Sequence, residues 1–182
     1  ETELRRLERN LHDFETCLSR TGVTRKAVSV EALWSSVCDQ VRAVADANGV
    51  VLRSELAPDL PSVQVDADRM TISLLHIARN AIEAMPDGGV LTFRSRRAGG
   101  MFELEIEDTG QGMEDPQAVF DAFYTTKASG TGLGLAIVHR IVQEHGGTVQ
   151  YESRPGHTCF AIRLPEVVVR SGHWMAQEQP AA

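Results

Sequence analysis

The stretch MFELEIED, residues 101–108, alternates apolar and charged side chains with a period of two, and no other feature restricts the fold of this chain as much. Phe102, Leu104 and Ile106 belong to one face of a strand, Glu103, Glu105 and Glu107 to the other. The same period carries Asp108 into the apolar row, so a carboxylate is aimed inward. Burying it without a donor would cost several kcal/mol, roughly the penalty for an unpaired polar or charged group. It needs a partner. Two readings stand on the sequence: Asp108 opens an Asx-turn over DTGQG, or it waits for a donor on a ligand, such as the exocyclic amine of adenine.

The other periodic segments surround this strand in a fixed order. A helix is expected from about Val30 to Asn48, closed at Asn48-Gly49, and the strand VVLRSEL follows. Asp66 or Asp68 can cap the next helix, DRMTISLLHIARNAIEAM, whose core stripe is Met70, Leu74, Ile77, Ala81 and Met85. PDGG stops it. VLTFRSRR and MFELEIED form a hairpin through Gly99-Gly100, and a polar loop from Thr109 to Ser129 leads to a last helix that ends at Gly146-Gly147. TVQYES and TCFAIRL alternate across the turn RPGH. This order suggests an α/β fold of the α+β two-layer kind, with a mixed, mostly antiparallel sheet covered by helices on one face.

Composition narrows the function. With 182 residues, 42% of them hydrophobic, the chain can bury one substantial core. A net charge of −7 gives no general basic field, which disfavours a nucleic-acid binder that works through phosphates. The longest apolar runs are strand-sized, without a transmembrane span or signal peptide, although a chain that opens at Glu1 reads as a fragment of something longer. Cys17, Cys38 and Cys159 are too far apart for a zinc or redox pair, which fits a reducing, cytoplasmic setting. In residues 1–22, Leu4, Leu7, Leu11, Phe14 and Leu18 make a heptad seam, either a helix packed on its own domain or the end of a dimer-forming coiled coil. The tail, residues 166–182, has no period and is expected to be loose.

Two further clusters bear on chemistry. His76, Asn80 and Glu83 are spaced by four and three and share one helix face beside the core stripe. An asparagine oxygen there suits magnesium, which takes hard oxygen ligands and keeps waters while bridging phosphates; a plain solvated face is the alternative. In FYTTKASGTGLGLAIVHRIV, Gly130, Gly132 and Gly134 leave room for phosphates to approach the main chain where a helix begins, with its unpaired amides and positive dipole end. Lys127, Thr125 and Thr126 add charge and hydroxyls. The spacing is neither a dinucleotide fingerprint nor a Walker loop, and tight helix packing would explain the glycines if they stood alone. His139 and His145, six apart, do not share a face as zinc ligands would, and they call for no special role.

In these motifs the sequence resembles the catalytic, ATP-binding domain of two-component sensor histidine kinases. HIARNAIEAM looks like the family's asparagine box, DTGQGM its first glycine box, VFDAFYTTK its phenylalanine box and GTGLGLAIV its second glycine box, in the family's order, over roughly Val30 to Pro165. The resemblance implies a Bergerat-type sandwich over residues 29–165 and ATP with magnesium as cofactors. Asp108 would bind the adenine amine, Asn80 would hold magnesium, and Gly110 through Gly134 would form a lid over the nucleotide. The nucleotide-contacting set it implies also takes in Glu83, Ala84, Gly110, Gly112, Met113, Phe120, Phe123, Thr125, Thr126, Lys127, Gly130, Thr131, Gly132, Leu133, Gly134 and Leu135, with Phe120 and Phe123 as anchors of the lid. Asn80 and Lys127 would carry the transfer step; His76, one turn before Asn80, is a further candidate for it from its place on the helix face, with a partly exposed histidine that only bonds a neighbour as the alternative. The implied partners are the protein's own dimerisation and phosphotransfer domain, with homodimerisation through the N-terminal helix, and a response regulator receiver domain. No nucleic acid is expected.

The sequence departs from the family pattern in three places. The acceptor histidine of the first dimerisation helix is missing, since His12 falls too close to the catalytic domain. Glu83 and Ala84 stand where many relatives carry lysine and tyrosine, so phosphate neutralisation must lean on Lys127 or another cation. His76 stands where asparagine or an acidic residue is common. An ATP-driven clamp or hydrolase of the same fold would use a glutamate there as general base, and His76 argues against it. A nucleotide-free partner-binding module is disfavoured by Asp108, Asn80 and the glycines.

Overall fold

The computed structural model describes residues 22–57, 62–113, 119–127 and 130–165. The heptad segment and the tail fall outside the described residues. Ser29 accepts a hydrogen bond from the Ala32 amide at 3.4 Å and so caps helix α1, Val30–Ala47. Strand β2, Val50–Leu56, follows directly. Of the two candidate caps for helix α2, Ala67–Glu83, the structure uses Asp66, whose carboxylate accepts from the Arg69 amide at 3.2 Å. The hairpin of β4, Gly89–Ala98, and β5, Met101–Asp108, turns through Gly99-Gly100 as its sequence requires. Helix α3, Gly134–Glu144, leads to the second hairpin, β6, Thr148–Arg154, with β7, His157–Pro165.

The main sheet has the order β2-β4-β5-β7-β6. Only β2 and β4 run parallel, because α2 crosses between them, and the remaining pairs are antiparallel. The three helices cover one face. Val37, Val41, Met70, Leu74, Ile77, Ile137 and Val138 pack against Leu91, Phe93, Phe102, Leu104, Ile106, Phe160 and Ile162, all buried. Trp34 stacks on Phe93 at 4.3 Å between ring centres and donates its indole N–H to Ser54.

The opposite face is a lattice of ion pairs. Arg94 bridges Glu55 and Glu107, and Arg96 bridges Glu103 and Glu105. Glu103 is 1% exposed yet ionised. Burial pushes its carboxyl upward, but the hydrogen bonds from Arg163 and Arg96 outweigh this and leave it below the ordinary value.

The sequence reading lacks two short strands, β1, Lys26–Val28, and β3, Val63–Val65, which pair antiparallel as a separate two-stranded sheet. At three residues each they are too short to show a period, and only their mutual pairing makes them strands. Through them the described fold begins at Lys26, ahead of the first expected helix.

Candidate nucleotide-binding site

The core stripe of α2 fixes the helix's rotation. With Met70, Leu74, Ile77 and Ala81 buried against the sheet, His76 and Asn80 lie half-buried at the helix edge and Glu83 is exposed beside them. All three expected residues therefore border one region, at the C-terminal end of α2.

Asp108 meets this region from the sheet. It ends β5 in the inward row and is 3% exposed. Its Oδ1 accepts the Gly110 N–H at 2.9 Å, so the Asx-turn reading holds, and that bond leaves the carboxyl facing the inner side of the sheet. Burial pushes its pKa up, opposed by the Gly110 N–H and by the charge field of His157. Gly110 is the point where strand and helix touch. A Cβ there would lie 2.7 Å from the Ala84 carbonyl oxygen and 2.9 Å from the Ala84 Cβ, so no side chain fits.

The start of the expected lid makes main-chain contacts on both sides. Gln111 N–H donates to the Ala84 carbonyl at 3.1 Å and Gly156 N–H to the Gly110 carbonyl at 2.8 Å. Met113 N–H reaches Ser153 Oγ at 2.9 Å, and Gly112 packs against Arg154 and Pro155. Residues 110–113, the first part of the expected lid, are thus tied by their backbone to α2 and to the turn between β6 and β7. The signal was available in the sequence: glycines in DTGQG and in RPGH allow two turns to pack backbone to backbone.

Lys127 reaches across to α2. Its ammonium lies 3.3 Å from Asn80 Oδ1 and pairs with the Glu83 carboxylate. Asn80 and Glu83 thus turn hard oxygens toward one cation, a donor set that suits magnesium alongside phosphate oxygens. Among the described residues no cluster of three or more His, Cys, Asp or Glu could hold a metal by itself. The residues present fit a metal shared with a ligand's phosphates.

Around Lys127 the loop is held by short-range bonds. Thr125 Oγ1 accepts the Lys127 amide at 3.1 Å, and Gly130 N–H donates to the Lys127 carbonyl at 3.1 Å, whereas Thr126 is exposed. Thr131 Oγ1 accepts the Leu133 amide at 3.4 Å, Leu133 precedes α3 without a side-chain cap, and Leu135 lies in its first turn. The helix start therefore presents main-chain amides rather than a capping side chain. His76 meets it there: a Cβ on Gly134 would stand 3.1 Å from His76 Nδ1.

The two phenylalanines part company. Phe120 stacks on His139 at 5.3 Å and lies edge-on to Tyr151 at 5.7 Å, in keeping with an anchor. Phe123 does not: it is 70% exposed, with φ at +70°. Its amide donates to the Gly132 carbonyl at 2.9 Å, and Gly132, at φ +66°, would place a Cβ 2.4 Å from the Phe123 carbonyl carbon. The glycine is needed for the two segments to touch. The backbone at Phe123, not its ring, makes the contact.

Residues 65–168 match the family model described as histidine kinase-, DNA gyrase B-, and HSP90-like ATPases. The chain belongs to this family. The family is one of ATPases, which makes ATP its nucleotide. Among curated relatives, the sensor histidine kinase ZraS of Escherichia coli (strain K12) is 35% identical over 171 residues, 92% of this chain but 37% of ZraS. The chain thus spans little more than a third of that relative. Among solved structures, full-length ShkA in complex with AMPPNP is similar over 90% of this chain and 36% of its own, with TM-score 0.76 and 26% identity. The histidine kinase ThkA, solved in complex with the response regulator protein TrrA, shares the fold at TM-score 0.76 over 91% of this chain and 49% of its own, with 23% identity. The ATPase fold accounts for the mixed sheet and its three helices.

Proposed function

We propose that this chain is the ATP-binding catalytic domain of a sensor histidine kinase, which transfers the γ-phosphoryl group of ATP to a histidine on a separate dimerisation domain. The observation that carries the reading is the meeting, at one end of α2, of an inward carboxylate, a carboxamide oxygen, a lysine and an uncapped helix start. Asp108 would accept from the adenine amine while its other bond to Gly110 keeps it oriented. Asn80, with Glu83 beside it, would hold magnesium, which supplies charge neutralisation to the β- and γ-phosphates when bound. The amides at Gly134 and Leu135 would donate to phosphate oxygens at the positive end of α3.

Phosphoryl transfer has a loose transition state, so catalysis here is positioning and charge stabilisation. Lys127 supplies the positive charge that relatives draw from the lysine this chain replaces with Glu83, and His76, against Gly134, stands beside the path of the phosphate. The bond from the γ-phosphorus to the bridging oxygen breaks, a bond to the acceptor imidazole nitrogen forms, and ADP leaves. The phosphate would then pass to the receiver domain of a response regulator. The N-terminal helix would join two copies of the parent protein, and the reaction would run in the cytoplasm; among the described residues no helix is long and apolar enough to cross a membrane.

The test is calorimetric titration with an ATP analogue, with and without magnesium, followed by transfer to the separately supplied dimerisation domain of the parent kinase. Magnesium-sensitive binding and acid-labile phosphate on the supplied domain alone are expected. Absence of binding at millimolar nucleotide, or label mapped to His12 of the isolated chain, overturns the proposal.

A further inference from the structure

His145 looked unremarkable by spacing, yet it is 3% exposed and both ring nitrogens are bonded. Nδ1 lies 2.7 Å from the Ile141 carbonyl oxygen, which can only accept, so Nδ1 carries the proton. Nε2 lies 2.9 Å from the Asp66 amide, which can only donate, so Nε2 is bare. The residue is thus a neutral imidazole in one tautomer. It stands at the C-terminal end of α3 and bonds the N-cap of α2. A second tie lies beside it, where Arg69 on α2 binds the Glu144 carboxylate at 2.5 Å. The incoming chain is fastened at the same place: Thr24 N–H donates to Asp66 Oδ2 at 3.1 Å and Arg25 to the Glu144 carbonyl at 2.7 Å.

The opposite ends of these two helices form the candidate nucleotide site. Asn80 lies fourteen residues along α2 from Asp66, about 21 Å at the helical rise, and Gly134 lies eleven residues before His145, about 16 Å. Helices are stiff over such lengths. A bond that fixes the axial offset of α3 against α2 at one end therefore fixes it at the other, where the Gly134 amide and the Asn80 carboxamide must address one phosphate chain.

We infer that His145 is a positioning residue for nucleotide binding, setting the register of α3 on α2 through the Asp66 amide. This rests on the nucleotide-binding reading above. Packed helices can still shear past each other by small amounts; a directional hydrogen bond to a main-chain amide is lost when they do. The same bond gives the part-buried Asp66 amide, at the N-cap of α2, its acceptor.

The test uses the full chain and three variants. His145→Leu removes both bonds. His145→Gln keeps an acceptor near the position of Nε2. Trp34→Leu loosens the core under α1 without touching either end of the α2–α3 pair. With magnesium and AMPPNP, His145→Leu should bind at least tenfold more weakly, whereas His145→Gln and Trp34→Leu should stay within about threefold of wild type. Amide exchange without nucleotide should rise in His145→Leu both at Asp66 and at Leu133–Ile137. Long-range proton–nitrogen spectra of the wild type should show Nδ1 protonated and Nε2 bare at neutral pH. Wild-type affinity retained in folded His145→Leu, or an equal loss in Trp34→Leu, overturns the inference. Should His145→Leu not fold, a tenfold loss in His145→Gln or a protonated Nε2 overturns it by itself. A wild type that binds no nucleotide defeats the function reading instead, and the ring spectra and amide exchange still judge the register bond.

Discussion

Replacing Asp108 by Asn should move stability and nucleotide affinity in opposite directions. The change leaves size and shape almost untouched, and the Asn carboxamide oxygen can still accept the Gly110 N–H now taken by Asp108 Oδ1. Its NH2 group would then face the adenine amine, donor against donor. A hydrogen bond to a charged group is worth about 1.5–3 kcal/mol, so ATP-analogue affinity should fall roughly 10- to 150-fold. Stability should rise, because a carboxylate at 3% exposure is replaced by a neutral group. Even about 1 kcal/mol, the low end for a buried polar group with incomplete compensation, would lift Tm by about 2–4 °C in a domain of this size.

The pH dependence follows from the raised pKa of Asp108, caused first by burial. The native state binds this proton more tightly than the unfolded chain does. The wild type therefore loses stability as pH rises from the unfolded value of about 3.9 through the raised native value, and the variant, which cannot ionise there, does not. The gain in Tm should be full at neutral pH and vanish below about pH 4. Thermal melts from pH 3 to 8, paired with calorimetry at neutral pH, measure both halves. A variant that is less stable at pH 7, or one that binds the nucleotide as well as wild type, would refute the account of Asp108 as a ligand-directed buried charge.

Asn80→Ala should abolish the magnesium dependence of nucleotide affinity while leaving the melting curve nearly unchanged, as followed by titration at several magnesium concentrations. His76→Ala should slow phosphotransfer to the supplied domain at least tenfold, about 1.4 kcal/mol of barrier, with little change in ATP affinity. Equal rates from pH 6 to 8 would reduce His76 to a packing role against Gly134. Phe120→Ala should cost about 2–3 kcal/mol in denaturant unfolding, somewhat below the scale for a fully buried phenylalanine, because the ring is only part-buried between His139 and Tyr151. Phe123→Gly should be neutral or stabilising by up to about 1–2 kcal/mol, since it relieves a left-handed backbone; a loss there would show that the ring is docked. Hydrogen exchange across the described part of the lid, 119–127, should slow on adding ATP analogue and magnesium, while 110–113 changes little.

Much of the site was legible because its residues obey local rules. Alternation along MFELEIED puts Asp108 inward, and the four-and-three spacing of His76, Asn80 and Glu83 puts them on one helix face, whatever the rest of the chain does. The long elements were legible for the same reason: periods of 2 and 3.6 are set within a segment, and the two candidate caps of α2, Asp66 and Asp68, lie at the start of that helix, where the structure uses Asp66.

Tertiary structure decided what depends on contacts between distant segments. β1 and β3 exist only because 26–28 and 63–65 pair, which no three-residue pattern can announce. Residues 110–113 are held by main-chain bonds and contacts to Ala84 and to the turn RPGH, which lies more than forty positions further along the chain. Phe120 and Phe123 read alike in sequence and differ only in which surfaces the fold brings near them. His145 shows the limit most clearly: its spacing excludes a zinc pair, but its bond to Asp66 crosses 79 residues of chain. Sequence periodicity determines which way a side chain faces; what it finds there depends on a partner delivered by the fold.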